Sequence, residues 1–189
     1  FPNEGNIRIA VGRAGNVIGG GDWAKDRIVP DCIRSWTHNE TVKLRNSFST
    51  RPWQHVLEPL SGYLCLAAEL HKKKELHGEP FNFGPPAYQN YSVLQLVREM
   101  SKHWNKVLWE DISETGKQPY ESGLLKLNCD KALHDLNWQA ILNFHETVLL
   151  TSEWYRSYYD DPSKIKDTTF SQIKKYQELA FKKGLKWAI

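Results

Sequence analysis

Residues 7–21, Ile7-Arg-Ile-Ala-Val-Gly-Arg-Ala-Gly-Asn-Val-Ile-Gly-Gly-Gly21, decide the fold. The first five are a β-branched, apolar run closed by Gly12, which predicts a buried strand entering a turn. A strand this apolar is normally central, with a neighbour on each edge. Apolar residues at 29, 32, 33 and 36 then predict a helix over 28–36, with Pro30 tolerated in its first turn. Residues 42–45 alternate as a short strand, and 59–74 read as a strongly apolar helix. A strand at 81–84, a helix over 93–104 capped by Ser92, and a strand at 107–110 follow. A helix over 129–138 and an aromatic-rich helix over 147–159 come next. This alternation of strands and helices predicts an α/β or α+β fold.

The 189 residues carry a net charge of +3, with 40% hydrophobic and 25% charged residues, a globular composition. Nothing in that balance points to nucleic acid or a membrane. The longest nearly apolar run, 63–68, is far short of the roughly 20 residues of a membrane span. Cys32, Cys65 and Cys129 are odd in number and show no Cys-x-x-Cys spacing, which predicts reduced thiols in a cytoplasmic protein. The only methionine is Met100 and the chain opens at Phe1, so the sequence is expected to start inside a longer protein. The histidines (38, 55, 71, 77, 103, 134 and 145) lack metal-binding spacing, so no metal site is expected. His55 is read as a packed residue. The tail from 163 to 189 holds seven lysines against Asp167 and Glu178 and is read as a solvated helix.

A glycine-rich turn after a strand can cradle a dinucleotide's pyrophosphate at a helix N-terminus. Here the glycines stand at 12, 15, 19, 20 and 21, and residues 22–26 intervene before any helix. That spacing argues against the dinucleotide turn. The segment is read as a flexible, substrate-side loop with one informative side chain, Asn16.

Two long motifs carry a family resemblance. The first is Arg13-Ala-Gly-Asn-Val-Ile-Gly-Gly-Gly-Asp-Trp-Ala24 with Asp26-Arg-Ile-Val-Pro-Asp31. The second is Arg45-Asn46 with Arg51-Pro-Trp-Gln-His-Val-Leu-Glu-Pro-Leu-Ser-Gly-Tyr63. Both are similar to the CDP-glucose 4,6-dehydratases, members of the extended short-chain dehydrogenase/reductases. Asn82-Phe-Gly-Pro85 and Leu125-Lys-Leu-Asn-Cys-Asp-Lys-Ala132 extend the likeness, which runs from Ile7 to Tyr155.

The resemblance implies an α/β fold made of the last strands of a Rossmann sheet and a small substrate-binding domain. Its implied divisions are residues 1–24 for the end of the NAD-binding domain, 25–160 mainly for the nucleotide-sugar domain, and 161–189 for a basic helical tail. It also implies NAD-dependent conversion of CDP-glucose to CDP-4-keto-6-deoxyglucose and water by a homo-oligomer, serving deoxysugar and surface-polysaccharide synthesis. The family's catalytic Tyr-x-x-x-Lys pair is not found, since none of the eight tyrosines has Lys four residues on. No catalytic residue is therefore assigned, and the chain alone is expected to be inactive. The alternatives are a dehydratase or epimerase for another nucleotide sugar, or a non-catalytic sugar-nucleotide-binding module.

By the same resemblance, Asn16 meets the substrate near its phosphates, while Ala14, Gly15 and Val17 approach the nicotinamide end of NAD. Glycine permits such an approach because it has no Cβ. Arg51 stands where the family places its diphosphate ligand, and a guanidinium fork suits two phosphate oxygens; the other reading pairs it with Glu58. Arg27 is a second cation or a loop anchor. Leu44, Arg45 and Asn46 run beside the nucleotide base, Asn82 touches ligand or closes a strand turn, and Glu121 faces the ribose. The family's His-Pro-His-Glu-Ala stands here as Gln118-Pro-Tyr-Glu-Ser122, a departure on the nucleotide side.

Overall fold

The structure, a computed structural model, describes residues 7–113 and 123–188. In chain order its elements are β1 (Val11–Ala14), β2 (Val17–Ile18), α1 (Ile28–Thr37), β3 (Val42–Leu44), β4 (Thr50–Arg51) and β5 (Gln54–His55). Next come α2 (Leu57–Lys72), β6 (Pro80–Phe83), β7 (Tyr91–Ser92), α3 (Val93–Ser101) and β8 (Trp109–Asp111). Three helices close the chain: α4 (Asp130–Leu136), α5 (Phe144–Asp160) and α6 (Ile165–Lys182). Strands and helices alternate, so the fold is α/β.

The sheet is broken into pairs. β1 runs parallel to β6 from Val11 opposite Pro80 to Ala14 opposite Phe83. β2 continues the same extended segment but pairs with β5 instead, Val17 opposite Gln54. β3 lies parallel to β8, and β4 antiparallel to β7. The chain thus leaves one pairing for another at Gly15 and Asn16. A β-carbon on Gly15 would stand 2.9 Å from Pro52 Cγ and 3.2 Å from the Pro52 carbonyl oxygen. Glycine is required there by the approach of the Arg51–Trp53 segment.

The first strand differs from its expectation in place and in burial. It spans Val11–Ala14 rather than 7–11, and Ile7, Ile9 and Val11 are exposed. β6 is its one ladder partner among the described residues. Ahead of the ladder, Gly78 N–H donates to the Ile9 carbonyl at 2.7 Å, Ile9 N–H donates to His77 Nδ1 at 3.1 Å, and Arg8 NH1 donates to the carbonyls of Leu70 and His71 at 2.8 and 2.6 Å.

The helices follow their patterns closely. α1 buries Val29, Cys32, Ile33 and Trp36, the spacing read from sequence. α3 opens on a capping box in which Ser92 Oγ accepts from Gln95 N–H at 3.1 Å and Gln95 Oε1 accepts from Ser92 N–H at 2.7 Å. α1, α3, β3 and α5 enclose the largest apolar core. A second core lies among α2, β6 and α4, and a third between α5 and α6. Cys32, Cys65 and Cys129 are free thiols. No described helix is long and apolar enough to cross a membrane.

The basic tail is more than a solvated helix. Lys166, Lys174, Lys175 and Lys182 are exposed, but Lys183 Nζ donates to the Ile141 carbonyl, and Gln172, Tyr176 and Ala180, spaced four apart, are buried against α5. Gln172 Nε2 donates to the Leu150 carbonyl at 2.8 Å. Tyr176 donates its hydroxyl to Glu58 Oε2 at 2.8 Å and also meets Ser61 Oγ at 2.9 Å, which Trp138 Nε1 reaches at 2.9 Å. Glu58 Oε1 accepts the N–H groups of Ile141 at 2.8 Å and Leu142 at 2.6 Å. One buried carboxylate therefore ties α2, the segment after α4, and α6 together.

Candidate functional site

A cavity of about 700 Å³ opens where β2, the N-terminus of α1, β3 and the Arg51–Trp53 segment meet. That size suits a small-molecule site. Its wall is built from Gly15–Gly19, Asp22, Asp26–Asp31, Val42–Asn46, Arg51, Trp53 and Val93. Separate stretches around β2, α1, β3, β4 and the start of α3 supply it.

Arg51 is held most firmly. It lies on β4 opposite Tyr91, is only 5% exposed, and donates through NH1 to the Thr50 carbonyl at 2.8 Å. A guanidinium keeps its charge when buried, so this part of the wall is a fixed cation in a partly dry setting. Trp53 beside it is pinned by Nε1 to the Tyr91 carbonyl at 2.9 Å. The alternative pairing of Arg51 with Glu58 is not what Glu58 does, because both its oxygens serve Ile141, Leu142 and Tyr176.

α1 presents its first turn to the cavity, with Ile28, Val29, Pro30 and Asp31 in the wall and no side-chain cap from Arg27. The positive end of the helix macrodipole therefore adds to the cations Arg27, Lys43, Arg45 and Arg51. Facing them are the carboxylates of Asp22, Asp26 and Asp31. Arg27 NH1 pairs with Asp22 Oδ2 at 3.0 Å, and Arg45 NH2 with Asp26 Oδ1 at 3.0 Å. The lining residues include no nucleophile with an adjacent base. They can bind and orient an anion; they carry no evident acid–base pair for bond breaking.

Of the residues singled out in the sequence, Gly15, Asn16, Val17, Arg27, Leu44, Arg45, Asn46 and Arg51 all line this one cavity. Leu44 contributes wall only, since its side chain is buried in the core and its carbonyl accepts Ile112 N–H at 2.9 Å. Ala14 stops short of the cavity, paired with Phe83 in β1. Asn82 is also outside it: its amide donates to the Asn128 carbonyl at 2.9 Å, closing the strand end. Glu121 lies outside the described residues. His55 is buried, and burial pushes its pKa down to about 4, which makes it a neutral packing residue whose Nδ1 accepts from Leu57 N–H at 3.3 Å.

The glycine loop is anchored, a correction to the flexible reading. A β-carbon on Gly20 would run into the Trp154 ring of α5. Trp23 packs against Tyr155, Tyr158 and Tyr159 with ring centroids 5.1–6.1 Å apart. Tyr155 donates to the Asp22 carbonyl at 2.6 Å, and Arg34 NH1 to the Trp23 carbonyl at 2.7 Å. Asp22, Asp26, Lys43 and Trp53 were not singled out from sequence. The first two stand in the Asp-Trp-Ala-Lys-Asp stretch between glycine and helix, and their charge beside Lys25 and Arg27 was the available signal.

No protein-family model matches the chain. A curated relative does: the CDP-glucose 4,6-dehydratase of Salmonella typhimurium strain LT2, 41% identical over 153 residues. The chain is similar in sequence to a CDP-glucose 4,6-dehydratase. The match covers 80% of this chain and 42% of that protein, so this chain spans less than half of its curated relative. Among solved structures, the UDP-glucose 4-epimerase of Stenotrophomonas maltophila, bound to NAD and a formylated UDP-arabinopyranose, has a TM-score of 0.69 at 16% identity. It matches 82% of this chain and 50% of its own. The dTDP-glucose 4,6-dehydratase of Bacillus anthracis strain Ames, in complex with NAD, gives 0.61 at 17% identity, over 84% of this chain and 47% of its own. The motif resemblance thus recurs as sequence similarity to a CDP-glucose 4,6-dehydratase, and the NAD-bound epimerase and dehydratase structures share the α/β fold.

Proposed function

We propose that the cavity is the nucleotide-sugar site of an NAD-dependent CDP-glucose 4,6-dehydratase, gripping the substrate by its diphosphate. The observation that carries this reading is the convergence of Asn16, Arg27, Arg45, Asn46 and Arg51 on one concavity. Arg51 supplies a planar fork for two phosphate oxygens. The Asn16 amide is a neutral donor suited to the same group, and the first turn of α1 adds its dipole. Asn46 and the β3 segment run along the base. Held at that handle, the sugar would extend past residues 15–19 of the wall, and orientation is this chain's contribution to rate.

NAD supplies hydride transfer when bound. The residues present fit only its edge. Gly15 and Val17 line the wall, but Pro52 and Leu127 occupy the space beside the Gly15 α-carbon, and the described residues offer no strand–turn–helix cradle for a dinucleotide. Contact with NAD is therefore assigned to Ala14, Gly15 and Val17, and the rest of its site to polypeptide beyond this chain.

The proposal includes the division into residues 1–24, 25–160 and 161–189, a homo-oligomeric cytoplasmic enzyme, and a role in deoxysugar synthesis for surface polysaccharide. The exposed apolar residues before and at the start of β1, Ile7, Ile9 and Val11, support a first segment completed by further sheet. Isothermal titration with CDP-, UDP-, dTDP- and GDP-glucose tests the site. CDP-glucose should bind most tightly, and equal or absent binding of all four would overturn the assignment. Incubation with NAD and CDP-glucose tests inactivity of the chain alone, which turnover without an added N-terminal half would contradict.

A further inference from the structure

Beyond Arg51, the two guanidiniums at the cavity mouth already hold carboxylates of the same wall. Arg27 faces Asp22 and Arg45 faces Asp26, each at 3.0 Å, and all four residues line the cavity. The pairs sit at the solvent edge, where the side chains of Arg27, Arg45 and Asp26 are 65%, 52% and 81% exposed. Ion pairs this wet are weakly held and readily exchanged. Asp26 also has a φ of 61°, the left-handed region that strains most side chains and that Asp and Asn tolerate. The loop's inner side is fixed to α5 and α1 through Trp23, Tyr155 and Arg34, so its carboxylates stand at the mouth by construction.

We propose that Asp22 and Asp26 are resident counter-anions of this mouth, holding Arg27 and Arg45 in ion pairs that the diphosphate of an entering ligand takes over. The proposal rests on the reading of the cavity as a diphosphate site. A diphosphate carries charge enough to meet both guanidiniums at once through charge-assisted hydrogen bonds, whereas each carboxylate serves one. The exchange makes and breaks no covalent bond. Asp26, once released, passes to the water that already surrounds it, and Asp22 Oδ1 keeps its bond from Ala24 N–H at 3.0 Å. The loop carboxylates thereby set a threshold. A ligand with too little phosphate charge leaves the arginines paired, and the site selects a diphosphate over a monophosphate or a free sugar.

Isothermal titration with CDP and with inorganic pyrophosphate tests this on the 189-residue chain, Asp26→Asn, Arg45→Gln and the double variant. Asparagine keeps the left-handed backbone and the side-chain size while removing the charge. Asp26→Asn should bind both probes about two- to fivefold more tightly, the worth of one exposed ion pair. Arg45→Gln should weaken both, and adding Asp26→Asn to it should give no further gain. Unchanged or weaker binding by Asp26→Asn overturns the counter-anion role and leaves the diphosphate site standing. So does a gain that persists without Arg45, or a gain for CDP with none for pyrophosphate. Binding of neither probe by any of these proteins overturns the role and the site together.

Discussion

Carboxylates serve two regions of this molecule in opposite ways. At the cavity mouth Asp22 and Asp26 pair with arginines that are more than half exposed. In the first turn of α2, Glu58 is 1% exposed and has both oxygens occupied by Ile141 N–H, Leu142 N–H and the Tyr176 hydroxyl. At the mouth, water screens the attraction and offers every charge an alternative partner, so the pairs can be traded for a ligand. Around Glu58 no alternative exists, and removing one partner strands the others without water. Solvent access, more than residue type, decides which charged cluster is free to exchange partners, as the proposed site requires, and which one braces.

The strongest way to break that contrast is Glu58→Ala. Two backbone N–H groups and a tyrosine hydroxyl would lose their acceptor in a dry site, and the docking of α6 through Tyr176 would go with them. A loss of about 3–5 kcal/mol in unfolding free energy is expected from urea titration. A loss below about 1 kcal/mol would place Glu58 on the same footing as the mouth carboxylates.

Acidity sharpens the contrast without removing an atom. Burial pushes the Glu58 carboxyl up to about 7 from an ordinary 4.5, against the lowering effect of its N–H, hydroxyl and Lys183 neighbours. Its folded form therefore holds the proton more tightly than the unfolded chain. The matching stability is complete below about 4.5 and is lost as pH rises through about 7. Between pH 5 and 8 the unfolding free energy should fall by about 2–3 kcal/mol relative to a Glu58→Gln reference. Parallel profiles for the two proteins would show that Glu58 stays ionised throughout.

Legibility from sequence follows the same division. Helix positions were readable because burial follows a 3.6-residue period, as the apolar residues of α1 and the Ser92 cap show. The cavity's cations were readable as members of matched motifs, and the structure brings Arg27, Arg45 and Arg51 to one wall. The Glu58 brace was not readable, because it joins positions more than 80 and 110 residues apart. Tyr176 sits in a lysine-rich stretch whose composition hides one buried face. The loop was misread because glycines suggest mobility, whereas here their missing side chains admit the ring of Trp154. The first strand slipped for a different reason: its ladder is set by where β6 runs, and no pattern within 7–11 encodes that.

Arg51 stands between the two regions, charged like the mouth and buried like the brace. Arg51→Lys keeps the charge and loses the planar fork, so affinity for CDP should fall about tenfold, or roughly 1.4 kcal/mol. Calorimetric titration reads it directly. Unchanged affinity would mean that the guanidinium's shape is not used, and would move the diphosphate toward Arg27 and Arg45.

The smallest effect belongs to Asp22→Asn. The amide keeps an oxygen for Ala24 N–H and leaves the Asp22 carbonyl free to accept from Tyr155, so only the ion pair with Arg27 is lost. A pair this exposed contributes little, and the unfolding free energy should change by no more than about 0.5 kcal/mol. Raising salt should shrink even that difference, because screening already acts on the wild-type pair. A salt-insensitive loss above about 1.5 kcal/mol would place Asp22 with Glu58 as a brace. The loop would then be held by its carboxylate, where the contacts of Trp23 and Tyr155 argue that it is held by its rings and backbone.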